Sequence, residues 1–172
     1  MDFRLDSEQQ MLQDSVRRYI DKAYAFEAGA KPGKGASLAH WGAFADNGWL
    51  AAALPEAHAG LGGGLVETAL IAHEFGRGLV REPYLGCAVV AAQTLAAAGT
   101  AEQQERWLPA LADGSVRIAL AYSEPASPGM PLPVATVARS RAGGYLISGR
   151  KSLVLSGLVA QHYIVSARVE GA

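Results

Sequence analysis

The sequence predicts an α+β fold, with a helical domain over residues 1–114 leading into a small antiparallel β domain over residues 115–172. Apolar residues recur at helical spacing as far as Gly114 and then give way to short runs rich in β-branched and aromatic residues. The two kinds of segment follow one another without alternating, which argues against a doubly wound parallel sheet. At 172 residues the chain can hold one good core or two smaller ones.

Each element has its own signal. Ser7 with Gln10 has capping-box spacing, and Leu12, Val16, Tyr19 and Ile20 then follow at helical intervals, so the first helix should start near Ser7. Leu38, Trp41, Phe44 and Ala45 form a second, shorter stripe that Asn47-Gly48 can end. The stretch "LPEAHAGLGGG" (54–64) is too rich in glycine for an element interior and reads as a flexible connection. A third helix follows over about Val66 to Leu79, ended by Pro83. The run from Leu85 to Ala98 is apolar around most of its circumference and should be a central, covered helix. Thr100 and Gln103 repeat the capping-box spacing before Trp107, Leu108 and Leu111, and Gly114 can close that helix. Beyond it, 116–122, 134–141, 145–149, "KSLVLSG" (151–157) and 162–169 read as strands, with Ala142-Gly143-Gly144 as a hairpin turn.

Composition excludes several classes of function. Half of the residues are apolar, 18% are charged and the net charge is −1, so no field gathers nucleic acid or anionic lipid. The apolar run Tyr84–Gly99 carries Gln93 and is shorter than the roughly 20 residues that span a bilayer, so no membrane role is expected. The N-terminus lacks the basic and apolar regions of a signal peptide, and a single cysteine cannot form an internal disulfide, which points to the cytoplasm.

Candidate chemistry is sparse. "GLGGG" (60–64) has neither a preceding strand nor a following Gly-Lys-Ser/Thr, so it does not support phosphate binding. His40, His58, His73 and His162 lack metal-ligand spacing, and Cys87, among Gly, Ala and Val, reads as a small buried apolar group. Glu124 stands before Pro125 at a strand exit, where a structural hydrogen-bonding role is favoured over acid–base work. Lys151 reads as a solvated lysine at a strand edge.

Three stretches carry a resemblance. "MDFRLDSEQQMLQDSVRRYI", "WGAFADNGWLAAALPEAHAGLGGGLVETALIAHEFGRGL" and "AEQQERWLPALADGSVRIALAYSEP" resemble, in order and separation, the acyl-CoA dehydrogenase family over essentially the whole chain. "EFGRGLVREPYL" and "GRKSLVLSG" resemble the small-subunit type similar to pimeloyl-CoA dehydrogenase. The resemblance implies an N-terminal helical domain and a β-barrel-like middle domain. It also implies that the chain stops inside the middle domain, without the C-terminal four-helix domain that carries the family's catalytic carboxylate. No residue here is therefore assigned as catalytic base.

The implied activity is FAD-dependent α,β-desaturation of an acyl-CoA thioester, with an electron-transfer flavoprotein as acceptor and a homo- or hetero-oligomer as the working form. Tyr122 and Ser123 would line the flavin, with Leu153 and Leu155 beside its ring; no substrate-binding residue is assigned. The chain departs from the family's usual pattern at "ASPGMPLP" (126–133) and at Leu153 and Leu155, where an aromatic residue and a Ser/Thr are usual. A noncatalytic scaffold partner of an active dehydrogenase subunit is the alternative those departures suggest.

Overall fold

Asp6, one residue before the expected position, caps the first helix. Its carboxylate accepts from Gln9 N at 2.8 Å while the Gln9 side chain accepts from Asp6 N, closing a capping box. The computed structural model describes residues 4–24, 36–131 and 135–171; the expected strand start at residue 134 and the end of the proline loop lie outside them. Helix α1 (Ser7–Ala23) buries Val16 and Ile20 and packs on α3 (Leu65–Arg77), with the short α2 (Trp41–Asp46) between them in sequence. Gly48, with φ of 75°, adopts the left-handed conformation just past α2.

The glycine-rich connection is a connection, but a tightly packed one. Leu61 N and Gly62 N donate to Ala51 O and Leu54 O at 3.0 and 2.9 Å, and a Cβ on Gly60 would stand 2.0 Å from Leu54 O. Glycine is needed at residue 60 because backbone passes against backbone. The expectation of flexibility is therefore corrected by these bonds.

The central apolar helix runs from Tyr84 to Ala98, its first part a π-helix (Tyr84–Ala91) and its continuation α4 (Ala92–Ala98). It is covered on several sides, burying Tyr84, Gly86, Cys87, Ala88, Ala91, Ala92 and Leu95. Helix α5 (Ala101–Ala112) has the expected Thr100–Gln103 box and ends at Gly114, whose φ is 72°. One core cluster gathers Phe44, Trp49, Phe75 and Tyr84, with Phe44 and Phe75 stacked at 4.6 Å between ring centroids. A second, of Leu54, Ala91, Leu95, Leu108, Leu111 and Ile118, joins the helices to the first strand.

The strands are β1 (Ile118–Ala121), β2 (Val137–Arg141), β3 (Gly144–Ser148), β4 (His162–Val165) and β5 (Arg168–Val169). β2 and β3 form the expected antiparallel hairpin, turning through Ala142 and Gly143, the latter at φ of 82°. β1 pairs in parallel with β4, Ile118 opposite His162, and β2 pairs in parallel with β5. Parallel neighbours need a long crossover, and the hairpin with the stretch after it supplies one between β1 and β4. The fold is α+β, helices followed by small sheets, with no closed barrel among the described residues.

One expected strand is not a strand. Residues 151–157 form an irregular turn in which Leu153 and Ser156 have φ of 52° and 62°. Lys151 and Ser152 are tied to 122–124 and residue 156 sits against the central helix, so tertiary contacts override local β propensity.

Candidate functional site

β1 ends at Ala121, and the chain turns through Tyr122, Ser123, Glu124 and Pro125 into the proline loop. Ser123 and Glu124 are buried and Tyr122 is half-buried. Glu124 Oε1 accepts from Thr136 N at 2.9 Å, Thr136 Oγ1 at 2.7 Å and Lys151 Nζ at 2.9 Å, while Oε2 accepts from Ala135 N at 2.8 Å. Lys151 Nζ also donates to Tyr122 O at 3.1 Å and Ser166 Oγ at 3.0 Å. All three ammonium protons therefore have an acceptor.

These contacts form one polar knot joining the turn, the start of β2, the 151–157 segment and the end of β4. The Lys151 ammonium, followed by the Thr136 hydroxyl and the N–H groups of Thr136 and Ala135, holds the Glu124 carboxyl at about 2. The structural reading of Glu124 holds. The reading of Lys151 is corrected: its side chain is only 9% exposed, and three acceptors rather than water hold its charge.

Around the knot the predicted residues take different positions. Ser123 Oγ accepts from Gly129 N at 3.0 Å, which closes the loop and leaves the hydroxyl its own proton to donate. Ser152 N donates to Ser123 O at 2.9 Å, so Leu153 follows directly from a residue bonded to the turn. Leu153 is 80% exposed and Leu155 52% exposed, presenting apolar side chains to solvent beside the knot. Leu155 and Ser156 reach the central helix and line a cleft of about 370 Å³ with Val80, Pro83, Leu85 and Gly86. Apolar side chains beside an available hydroxyl suit a flat apolar ring with a polar edge.

Sequence reasoning missed Thr136, Ser166 and the burial of Lys151. The available signal was the charge pattern: after Lys151 no Asp, Glu, Lys or Arg occurs until Arg168, and a lysine opening such a stretch needs a partner inside it or behind it. Cys87 is fully buried as expected, and burial pushes its thiol up to about 11. Among the described residues no helix is long and apolar enough to cross a membrane.

Helices with an aromatic core lead into small sheets, and a locked Ser-Glu-Pro turn follows the first strand. The family model described as acyl-CoA dehydrogenase, N-terminal domain, matches residues 6–115. The chain belongs to the acyl-CoA dehydrogenase family. It is 29% identical to acyl-CoA dehydrogenase FadE12 of Mycobacterium tuberculosis over 90% of this chain and 38% of that protein. The solved ChsE4–ChsE5 complex from Mycobacterium tuberculosis superposes with a TM-score of 0.83 at 26% identity, covering 99% of this chain and 46% of that one. An acyl-CoA dehydrogenase from Bacillus anthracis complexed with FAD gives a TM-score of 0.79 at 25% identity, covering 97% and 30%. The chain thus spans less than half the length of these relatives.

Proposed function

We propose that this chain forms the helical and middle portion, with its boundary near residue 114, of an FAD-dependent acyl-CoA dehydrogenase. It works in a homo- or hetero-oligomer with another dehydrogenase subunit, in the cytoplasm, on an acyl-CoA thioester, with an electron-transfer flavoprotein as acceptor. The observation that carries this reading is the polar knot, which fixes Tyr122 and the buried Ser123 in one turn, with Ser152, bonded to that turn, leading into the exposed Leu153. The knot's geometry suits FAD, because the exposed leucines can cover the ring while the Ser123 hydroxyl can donate to its edge. FAD, when bound, supplies the acceptor for the hydride that leaves the substrate's β-carbon.

The chain's own residues bind and orient. Tyr122 and Ser123 hold the ring edge, and Leu153 and Leu155 exclude water from its face. Glu124 takes no proton from substrate: four donors surround its carboxylate and hold it at about 2, far too acidic for a base working near neutrality. The α-proton goes to a base other than Glu124.

The test is the visible spectrum of the protein purified with any co-eluting chain retained, for wild type and Ser123→Ala. Bound flavin in the wild type and weaker retention in Ser123→Ala are expected, since a hydrogen bond to a neutral partner contributes about 1 kcal/mol. Equal retention would remove Ser123 from the site. Leu155, which has no hydroxyl to offer, favours a second reading as a noncatalytic scaffold. A colourless chain that co-elutes with a flavin-bearing dehydrogenase would establish that role instead.

A further inference from the structure

The 151–157 segment is held at both ends, by the polar knot at Lys151 and Ser152 and by a helix contact at Ser156. Gly86 lies near the start of the π-helix, where a Cβ would stand 2.2 Å from Ser156 Oγ, 2.8 Å from Ser156 Cβ and 3.1 Å from Leu155 O. Gly86 has no positive φ, so the position uses the missing side chain and not backbone freedom. Glycine is a poor helix former, and its place inside a helix is explained by this close approach. Ser156 itself sits at φ of 62°. π-Segments inside helices occur frequently at functional sites.

We propose that Gly86 is a positioning residue whose bare backbone latches Ser156 to the π-helix and thereby fixes where Leu153 and Leu155 stand. The proposal rests on the flavin reading above for its purpose, but the latch can be tested without flavin. Cys87 is the chain's single cysteine, is fully buried and directly follows Gly86, on which Ser156 packs, so its alkylation reports whether the segment lifts. An alanine at residue 86 must displace Ser156 and so raise the lifted population.

The experiment follows iodoacetamide labelling of Cys87, by the mass of this chain, together with flavin retention and circular dichroism, on protein purified with any co-eluting chain. Four forms are compared: wild type, Gly86→Ala, Ser156→Gly and the double variant. Gly86→Ala should label about tenfold faster or more and retain flavin less well, while the double variant labels no faster than Ser156→Gly alone. Labelling of Gly86→Ala at the wild-type rate, or effects that merely add in the double variant, would overturn the latch. Faster labelling with unchanged flavin retention would overturn its positioning role. Should Gly86→Ala fail to fold, recovery of the fold in the double variant supports the latch and continued misfolding rejects it. A wild type without flavin but with the expected labelling pattern would sink the flavin reading while upholding the latch.

Discussion

Lys151 and Glu124 meet at 2.9 Å with both side chains withdrawn from water, so neither can lose its partner without a buried charge left without its counter-charge. Lys151→Met keeps most of the stem but strands the Glu124 carboxylate and frees Tyr122 O and Ser166. It should lower the urea midpoint clearly and reduce flavin retention, whereas an exposed lysine exchanged for methionine would do neither. Acid should act through the same group and through Glu74, a fully buried carboxylate of α3 clamped by Arg17 at 2.7 Å and Arg77 at 2.9 Å. The Arg17 hydrogen bond first, then those of Arg77 and His73, hold Glu74 at about 2 against the opposing effect of burial. Both carboxyls ordinarily titrate at 4.5, so the folded protein binds fewer protons than the unfolded one between that value and about 2. Their stabilisation is complete above 4.5 and is lost as pH falls toward 2. Urea midpoints measured from pH 7 to pH 3 should fall below about pH 4.5, less steeply in a Glu74→Gln, Glu124→Gln variant. A parallel acid limb in that variant would place the titrating groups elsewhere. Glu124's structural role was legible from its place before Pro125, but its partners were not. Thr136, Lys151 and the Lys151 acceptors Tyr122 and Ser166 stand 12, 27, 29 and 15 positions from the residues they bind, beyond any local pattern.

Among the elements, those governed by local chemistry were the readable ones. The Thr100 box, the Gly114 stop and the Ala142-Gly143 hairpin depend on residues a few positions apart, and each stands where the sequence puts it. The α1 cap slipped by one because Asp6 and Ser7 both suit an N-cap and Gln9 and Gln10 both suit its third position. That ambiguity is testable: Asp6→Ala should destabilise by about 1 kcal/mol in urea unfolding, and Ser7→Ala by much less, with the reverse order contradicting the observed cap. The 151–157 turn was unreadable for a different reason. Its apolar Leu153-Val154-Leu155 centre, bounded by Ser and Gly, fits a strand, yet the knot at one end and the π-helix at the other hold it out of any ladder. The π-helix was hidden as well, because a segment apolar on all sides gives no period from which to read a change of pitch.

At the scale of the molecule, the two halves differ in how far they are covered. The aromatic cluster is buried among the helices, while β3 is exposed along its whole length and shows Tyr145 and Ile147 on one face and Leu146 on the other. β3 and β5 are the outer strands of their sheet among the described residues, and Leu158, on the turn before β4, is 98% exposed. A strand apolar on both faces with an open edge pairs with whatever apolar surface or edge it meets. The isolated 172-residue chain should therefore associate, giving a light-scattering mass above that of one chain that rises with concentration. Ile147→Lys with Leu158→Lys should bring the mass back toward one chain and leave the far-ultraviolet dichroism of the helices unchanged, because neither side chain belongs to a buried cluster. A wild-type chain that stays monomeric at high concentration would mean that this surface tolerates water and drives no assembly. If association occurs and the two lysines abolish it, the same variant added to the purified complex identifies the face in contact. Loss of the co-eluting chain places the partner on the surface of Ile147 and Leu158, and retention shows that the partner is held by other surface.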